Sequence, residues 1–226
     1  CIPLGTTVVA PAAGQVGRVF REFNRGGLKI AIDHGEGLMT CSVHLARALV
    51  REGDVVEAGQ PIAISGYSGI DGFATFPWGI PHVHFNVWLN TRPVDPFPYD
   101  KEGSIWRGGH PQPMDPIVDK ETRQIKEIES DNFIPSSYDE SAVNALIDGC
   151  ITTETRERLR AIEPLWQRAA HVICERNYYP TRFPPRATPG HPDARSVYVD
   201  LHPRAEKIDL PFLTTDFDGV VFQDEL

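Results

Sequence analysis

The stretch Gly79-Ile80-Pro81-His82-Val83-His84-Phe85 places two imidazoles two residues apart in a segment that reads as a β-strand. Side chains at i and i+2 of a strand leave on one face, so His82 and His84 are expected to point together while Val83 and Phe85 enter a core. Neutral imidazole is a preferred zinc ligand, and a same-face pair is a common beginning of a zinc site. Such a pair also occurs as plain polar surface on edge strands. Its neighbours therefore decide between chemistry and surface.

Upstream, Leu28 to Asp33 alternates as a strand, His34-Gly35-Glu36-Gly37 is a turn, and Leu38 to Leu45 is a second strand carrying His44. That is a hairpin. Strict alternation in its second strand puts Thr40, Ser42 and His44 on one face and Cys41, Val43 and Leu45 on the other. His44 is then expected on the polar side of the sheet with His82 and His84, so that three imidazoles meet.

The chain of 226 residues is 41% hydrophobic and 23% charged, ordinary for a globular protein of one large or two small domains. No apolar run approaches the roughly 20 residues of a membrane-spanning helix. A formal net charge of -9 argues against a nucleic-acid partner, because phosphate binding needs a positive surface. It also argues against simple electrostatic adhesion to the anionic polymers of a bacterial wall. The four cysteines match no zinc-finger spacing. Cys41 reads as a buried thiol, and Cys150 and Cys174 could pair only if their helices meet.

A longer series of elements resembles one family. Pro3-Leu4-Gly5-Thr6-Thr7-Val8-Val9-Ala10 is followed by Gly14-Gln15-Val16, by Ile32-Asp33-His34-Gly35-Glu36-Gly37 with Thr40 and His44-Leu45, and by Gly53-Asp54-Val55-Val56. Then come Gly59-Gln60-Pro61-Ile62, Ser65-Gly66-Tyr67-Ser68-Gly69, the His82-Val83-His84-Phe85 core and Pro93-Val94-Asp95-Pro96. In order and spacing these resemble the lysostaphin-type (LytM-like) zinc endopeptidases that cut peptide cross-links in peptidoglycan. The resemblance spans residues 1–100 and nothing afterwards.

Carried over position by position, the resemblance implies that His84 is a zinc ligand and that His44 and His82 are catalytic residues beside the metal. The chemistry such a site needs then assigns His82 as the general base and His44 as the stabiliser of the oxyanion, with the two roles open to exchange. Zinc would supply an acidified water and polarise the scissile carbonyl. In this family two ligands belong to a His-x-x-x-Asp motif just ahead of the Pro-x-Gly-Thr turn, so their counterparts are expected upstream of Cys1. His34 reads as a turn residue, and His110, His171, His191 and His202 as loop, packing or surface residues. Two departures from the family pattern stand out. Residues Ile70 to Trp78 form an inserted loop whose Phe73, Phe76 and Trp78 could wall a substrate or plug the core. Asn86 replaces the acidic residue usual after the His-x-His-Phe run and is expected to change the hydrogen bonding behind the site.

The second half has a different texture. Gly103 to Pro116 is dense in glycine and proline and reads as a connection. Ser137 and Glu140 suggest a capping box for a helix ending near Asp148 with Gly149 as its stop. Leu159, Ile162, Trp166, Ala169 and Ile173 form an amphipathic stripe that Pro164 should kink or divide. Ser196 to Leu201 alternates, and Asp218-Gly219 is a hairpin signal.

The sequence thus predicts a mainly β protein: an antiparallel LytM-like peptidase core over residues 1–100 and an α+β accessory extension over 101–226. The function the resemblance implies is zinc-dependent (Zn2+) hydrolysis of peptide bonds in peptidoglycan, in the cell envelope or outside the cell. The rival is a catalytically inactive LytM-like module that binds wall or activates a partner hydrolase.

Overall fold

The computed structural model describes residues 2–74, 81–99, 101–116, 133–191 and 193–213. Phe76, Trp78, the side chain of Phe73 and the Asp218-Gly219 signal lie outside the described residues.

The long hairpin read from the sequence is the centre of the molecule. β3 (Gly27–Asp33) and β4 (Leu38–Ala48) pair antiparallel, and β2 (Gly14–Glu22) extends the sheet beyond β3. All seven residues of β3 are buried, which requires cover on both faces. One face carries Ile30, Ile32 and Leu28, which pack with Val8, Val16, Leu45, Val56 and Ile62 beneath the curled edge of the sheet. The other carries Ala31, which joins Phe20, Met39, Cys41, Val43 and Trp88 against a layer of helices.

Curling comes from the pairing order. β1 (Thr7–Val9) pairs with β6 (Pro61–Ser65), and β5 (Val55–Val56) pairs with β2, all antiparallel. β4 is long enough to take two partners along one edge. Its first half, Leu38 to Val43, pairs with β7 (His84–Leu89), and Leu45 to Ala48 pairs with β6. β8 (Arg92–Pro93) completes an eight-stranded sheet among the described residues.

His44 falls at the fork between the two partners. The β3–β4 register shifts there, Leu28 facing Leu45 but Ile30 facing Ser42, and His44 takes φ +63°. This bulge corrects the strict alternation expected from the sequence. Cys41 and Val43 face the helices, whereas Leu45 lies in the opposite core, because one extra residue reverses the faces beyond it. The strand expected around His82 also begins later, at His84, since Val43–His84 is the last pair before β4 bulges away.

The helical layer comes from the second half. α1 (Ile70–Ala74) is a single turn beside the sheet, whereas α2 (Glu140–Asp148), α3 (Thr153–Arg160) and α4 (Leu165–Tyr178) pack together on the sheet. α2 ends at Gly149 as expected, but its N-cap is Asp139, whose carboxylate accepts from Ala142 N at 3.1 Å, and not Ser137. Ser137 and Tyr138 are held extended instead, by the Val199 N–Ser137 O bond and the bridge of Tyr138 to Tyr198. That bridge is also all the ladder the alternating Ser196–Leu201 segment forms. Pro164 caps α4 and so divides the apolar stripe into two helices. Ala169, Val172 and Ile173 of α4 and Val143 and Ile147 of α2 are fully buried in the cluster shared with the sheet. Cys41, Cys150 and Cys174 are buried free thiols, so the pairing considered for Cys150 and Cys174 is absent.

Candidate metal centre

His44, His82 and His84 meet at the fork of β4. One ligand nitrogen from each lies within 4.8 Å of the others, with His44 buried and the other two exposed. The rings of His44 and His82 are 5.0 Å apart and those of His44 and His84 6.2 Å, both edge to face. Tetrahedral zinc with Zn–N near 2.0–2.1 Å needs ligand nitrogens roughly 3.3 Å apart. The observed spread leaves room for a zinc-like ion held on one imidazole with the other two close beside it, and the donor set fits that arrangement. The bond from Ile2 N to Pro81 O, 3.0 Å, ties the segment carrying His82 to the start of the chain.

Each imidazole is placed by different means. Only the bulge turns His44 towards the other two, and its backbone N is bonded to Gly26 O at 3.0 Å. Its Nδ1 lies 2.9 Å from the carbonyl oxygen of Ser68. A carbonyl only accepts, so Nδ1 carries the hydrogen and Nε2 keeps its lone pair. Burial pushes the His44 pKa down, more than the Ser68 bond and the charge of Asp71 raise it, and this favours the neutral ring.

Ser68 is the hub of this support. Its hydroxyl accepts from Leu28 N at 2.9 Å and donates to Leu45 O at 2.7 Å, locking it across the bulge. Gly27, at φ +64°, makes the approach possible: a Cβ there would come 2.3 Å from the Ser68 carbonyl carbon. Asp71 accepts from Gly26 N at 2.8 Å. Burial alone would raise the Asp71 pKa, but that backbone bond and the nearby His44 and Lys29 outweigh it and hold the carboxyl below its usual range. Behind His84, Asn86 Oδ1 lies 3.2 Å from Nε2.

His34 stays apart from the cluster. It is fully buried between Ala13 O at 3.0 Å and Thr40 Oγ1 at 2.7 Å, a structural residue of the hairpin. His171 contacts Glu52 at 3.2 Å beneath α4. Sequence reasoning found all three clustered histidines but not the support of Ser68 and Asp71, although the Ser65–Gly69 turn was visible as a motif.

Residues 2–96 match the family model described as Peptidase family M23, the same stretch that carries the lysostaphin-type resemblance. Over 92 residues the chain is 36% identical to an uncharacterized metalloprotease of Haemophilus influenzae, covering 41% of this chain and 18% of that protein. It is 35% identical over 94 residues to the peptidoglycan DD-endopeptidase ShyB of Vibrio cholerae, covering 41% and 20%. It is also 35% identical over 96 residues to the murein hydrolase activator EnvC of Escherichia coli, covering 42% and 21%. The chain thus spans about a fifth of the length of these curated relatives.

Proposed function

We propose that the region matching peptidase family M23 is the catalytic core of a zinc-dependent endopeptidase that cleaves peptide bonds in peptidoglycan, working in the cell envelope or outside the cell. The observation that carries this reading is the convergence of three imidazoles on one spot, two of them exposed to an incoming chain. A pure binding module has no chemical need for that convergence.

His84 is assigned to the metal. When bound, the ion supplies a Lewis acid and an acidified water. His44 and His82 then divide the proton work beside it. The Ser68 carbonyl keeps the hydrogen of His44 on Nδ1, so Nε2 is an acceptor and suits the general base. The oxyanion role then passes to His82, the exchange that the family resemblance leaves open. Asp71 stabilises the imidazolium that forms on His44 as it takes the proton.

Hydrolysis of peptidoglycan cross-bridge and stem peptides, read with zinc content for each histidine variant, tests this. His84→Ala should lose zinc and turnover together. His44→Ala should keep most zinc and lose roughly 10²–10⁴-fold in rate. Full turnover in the His44 variant removes it as base, and unchanged zinc in the His84 variant removes it as ligand. The similarity to EnvC supports a second reading, a module that activates a partner hydrolase. A protein that binds wall and stimulates an amidase while all three histidine variants behave as wild type would establish that reading instead.

A further inference from the structure

We propose that Tyr178 of α4 is a positioning residue that fixes His84 as its Nε2–H tautomer through Asn86, leaving the Nδ1 lone pair for a metal ion. Four side chains form a line from the helical layer to the candidate site. Tyr178 Oη donates to Cys41 Sγ at 3.3 Å, Asn86 Nδ2 donates to Tyr178 Oη at 3.0 Å, and Asn86 Oδ1 faces His84 Nε2 at 3.2 Å.

The chemistry of each link sets the next. The Cys41 thiol is fully buried, and burial pushes its pKa up to about 12, so it stays a neutral thiol; the phenol is the stronger donor of the two and its hydrogen goes to the sulfur. With its hydrogen directed at Cys41, the phenol offers Asn86 a lone pair. Only the NH2 end of the amide can use that lone pair, so the carbonyl end is turned to His84. A carbonyl accepts, and the ring nitrogen opposite it must carry the hydrogen. Hydrogen bonds to the far nitrogen of this kind fix the tautomer and orientation of metal-ligating histidines.

Tyr178 is held well enough to impose this order. Its ring stands edge to face against Phe20 at 5.6 Å and Trp88 at 5.8 Å, with Lys29 Nζ 5.1 Å from its centre. The departure at Asn86 now has a physical sense. A carboxylate accepts at both ends and needs no orienting partner, whereas an amide has a direction that something must set. α4 supplies that partner from outside the region matched to the peptidase family.

The consequence for metal binding rests on the proposed zinc-dependent function, but the tautomer does not. Long-range 1H–15N correlation spectra of the metal-free, 15N-histidine-labelled protein near pH 8 should show His84 as the Nε2–H form. Tyr178→Phe keeps the ring packing and should shift His84 towards a mixture, with zinc affinity against a competing chelator falling on the order of 10–100-fold. Asn86→Asp added to Tyr178→Phe should restore the Nε2–H form. Native-like circular dichroism of Tyr178→Phe separates this effect from misfolding. An Nδ1–H signal for His84 in the native protein, or an unchanged signal in folded Tyr178→Phe, overturns the inference. A native protein that takes up no zinc while its tautomer responds to Tyr178→Phe would leave the inference standing and remove the metal-dependent function.

Discussion

At φ +63°, His44 occupies a backbone region that disfavours side chains with a Cβ by roughly 1–2 kcal/mol. The strain holds because Ser68 and Gly26 bind the residue from both sides, and such strain concentrates where function needs it. Denaturant unfolding should therefore find His44→Gly about 1 kcal/mol more stable than His44→Ala, although both lack the imidazole. Equal stabilities would mean that the backbone is not strained. Glu52 allows a pH test. Burial alone would raise its pKa, but bonds from His171, Val19 N and Gln167 outweigh it and hold the carboxyl below its ordinary 4.5. A depressed carboxyl contributes stability above its unfolded pKa and loses it as pH falls through the folded one. Glu52→Gln should thus destabilise by about 1–2 kcal/mol at neutral pH. The gap should shrink as pH falls below the ordinary 4.5 and close once the folded carboxyl is protonated, and a gap that widens in acid would contradict the assignment. The three clustered histidines were legible from the hairpin order, the His-x-His run and the family resemblance, although it is the bulge at His44 and not strict alternation that brings them together. The tautomers of His44 and His84 were not, because the partners that set them are a backbone carbonyl and an amide aimed from a helix more than ninety residues away.

Among the elements, the hairpin of β3 and β4 was readable almost to its ends, since turn glycines bracket two apolar runs. The bulge at its fork was hidden, because no glycine marks it and a histidine, though it enters left-handed backbone more readily than most residues, does so too seldom to announce it. Pro164 gave the division between α3 and α4 correctly, while the α2 cap moved to Asp139 because the residues before it are held by tertiary bonds. The tightest junction is Gly27 against Ser68. Gly27→Ala needs positive φ with a Cβ and places that atom 2.2 Å from Ser68 Oγ. It should destabilise by at least about 2 kcal/mol and slow the proposed peptide hydrolysis by displacing the carbonyl that holds His44. Thermal unfolding together with a turnover assay checks both. A stable variant with unchanged turnover would show that the turn can move without the site.

Across the whole molecule, sheet and helices are joined by charge as well as by apolar packing. Glu175 of α4 is fully buried and meets Arg18 of β2 at 3.5 Å, Arg158 of α3 at 2.7 Å and Arg182. Removing one partner of a buried pair strands the other, so Glu175→Leu should cost about 3–5 kcal/mol, and adding Arg18→Met should recover most of it. Chemical denaturation of the single and double variants measures this, and an equal loss in both would show that Arg18 is not the stranded charge. The Arg18–Glu175 pair was not legible beforehand: pairing over more than 150 residues leaves no local trace. The shared core has a practical result for anyone wishing to produce the region matched to the peptidase family alone. A fragment ending near residue 100 would bring Met39, Cys41, Val43 and Trp88 into water as one apolar sheet face, where the intact protein has α2 and α4. Such a face invites self-association. Recovering that fragment as a monodisperse species would require polar replacements on the strands themselves, at positions that the family pattern alone does not identify.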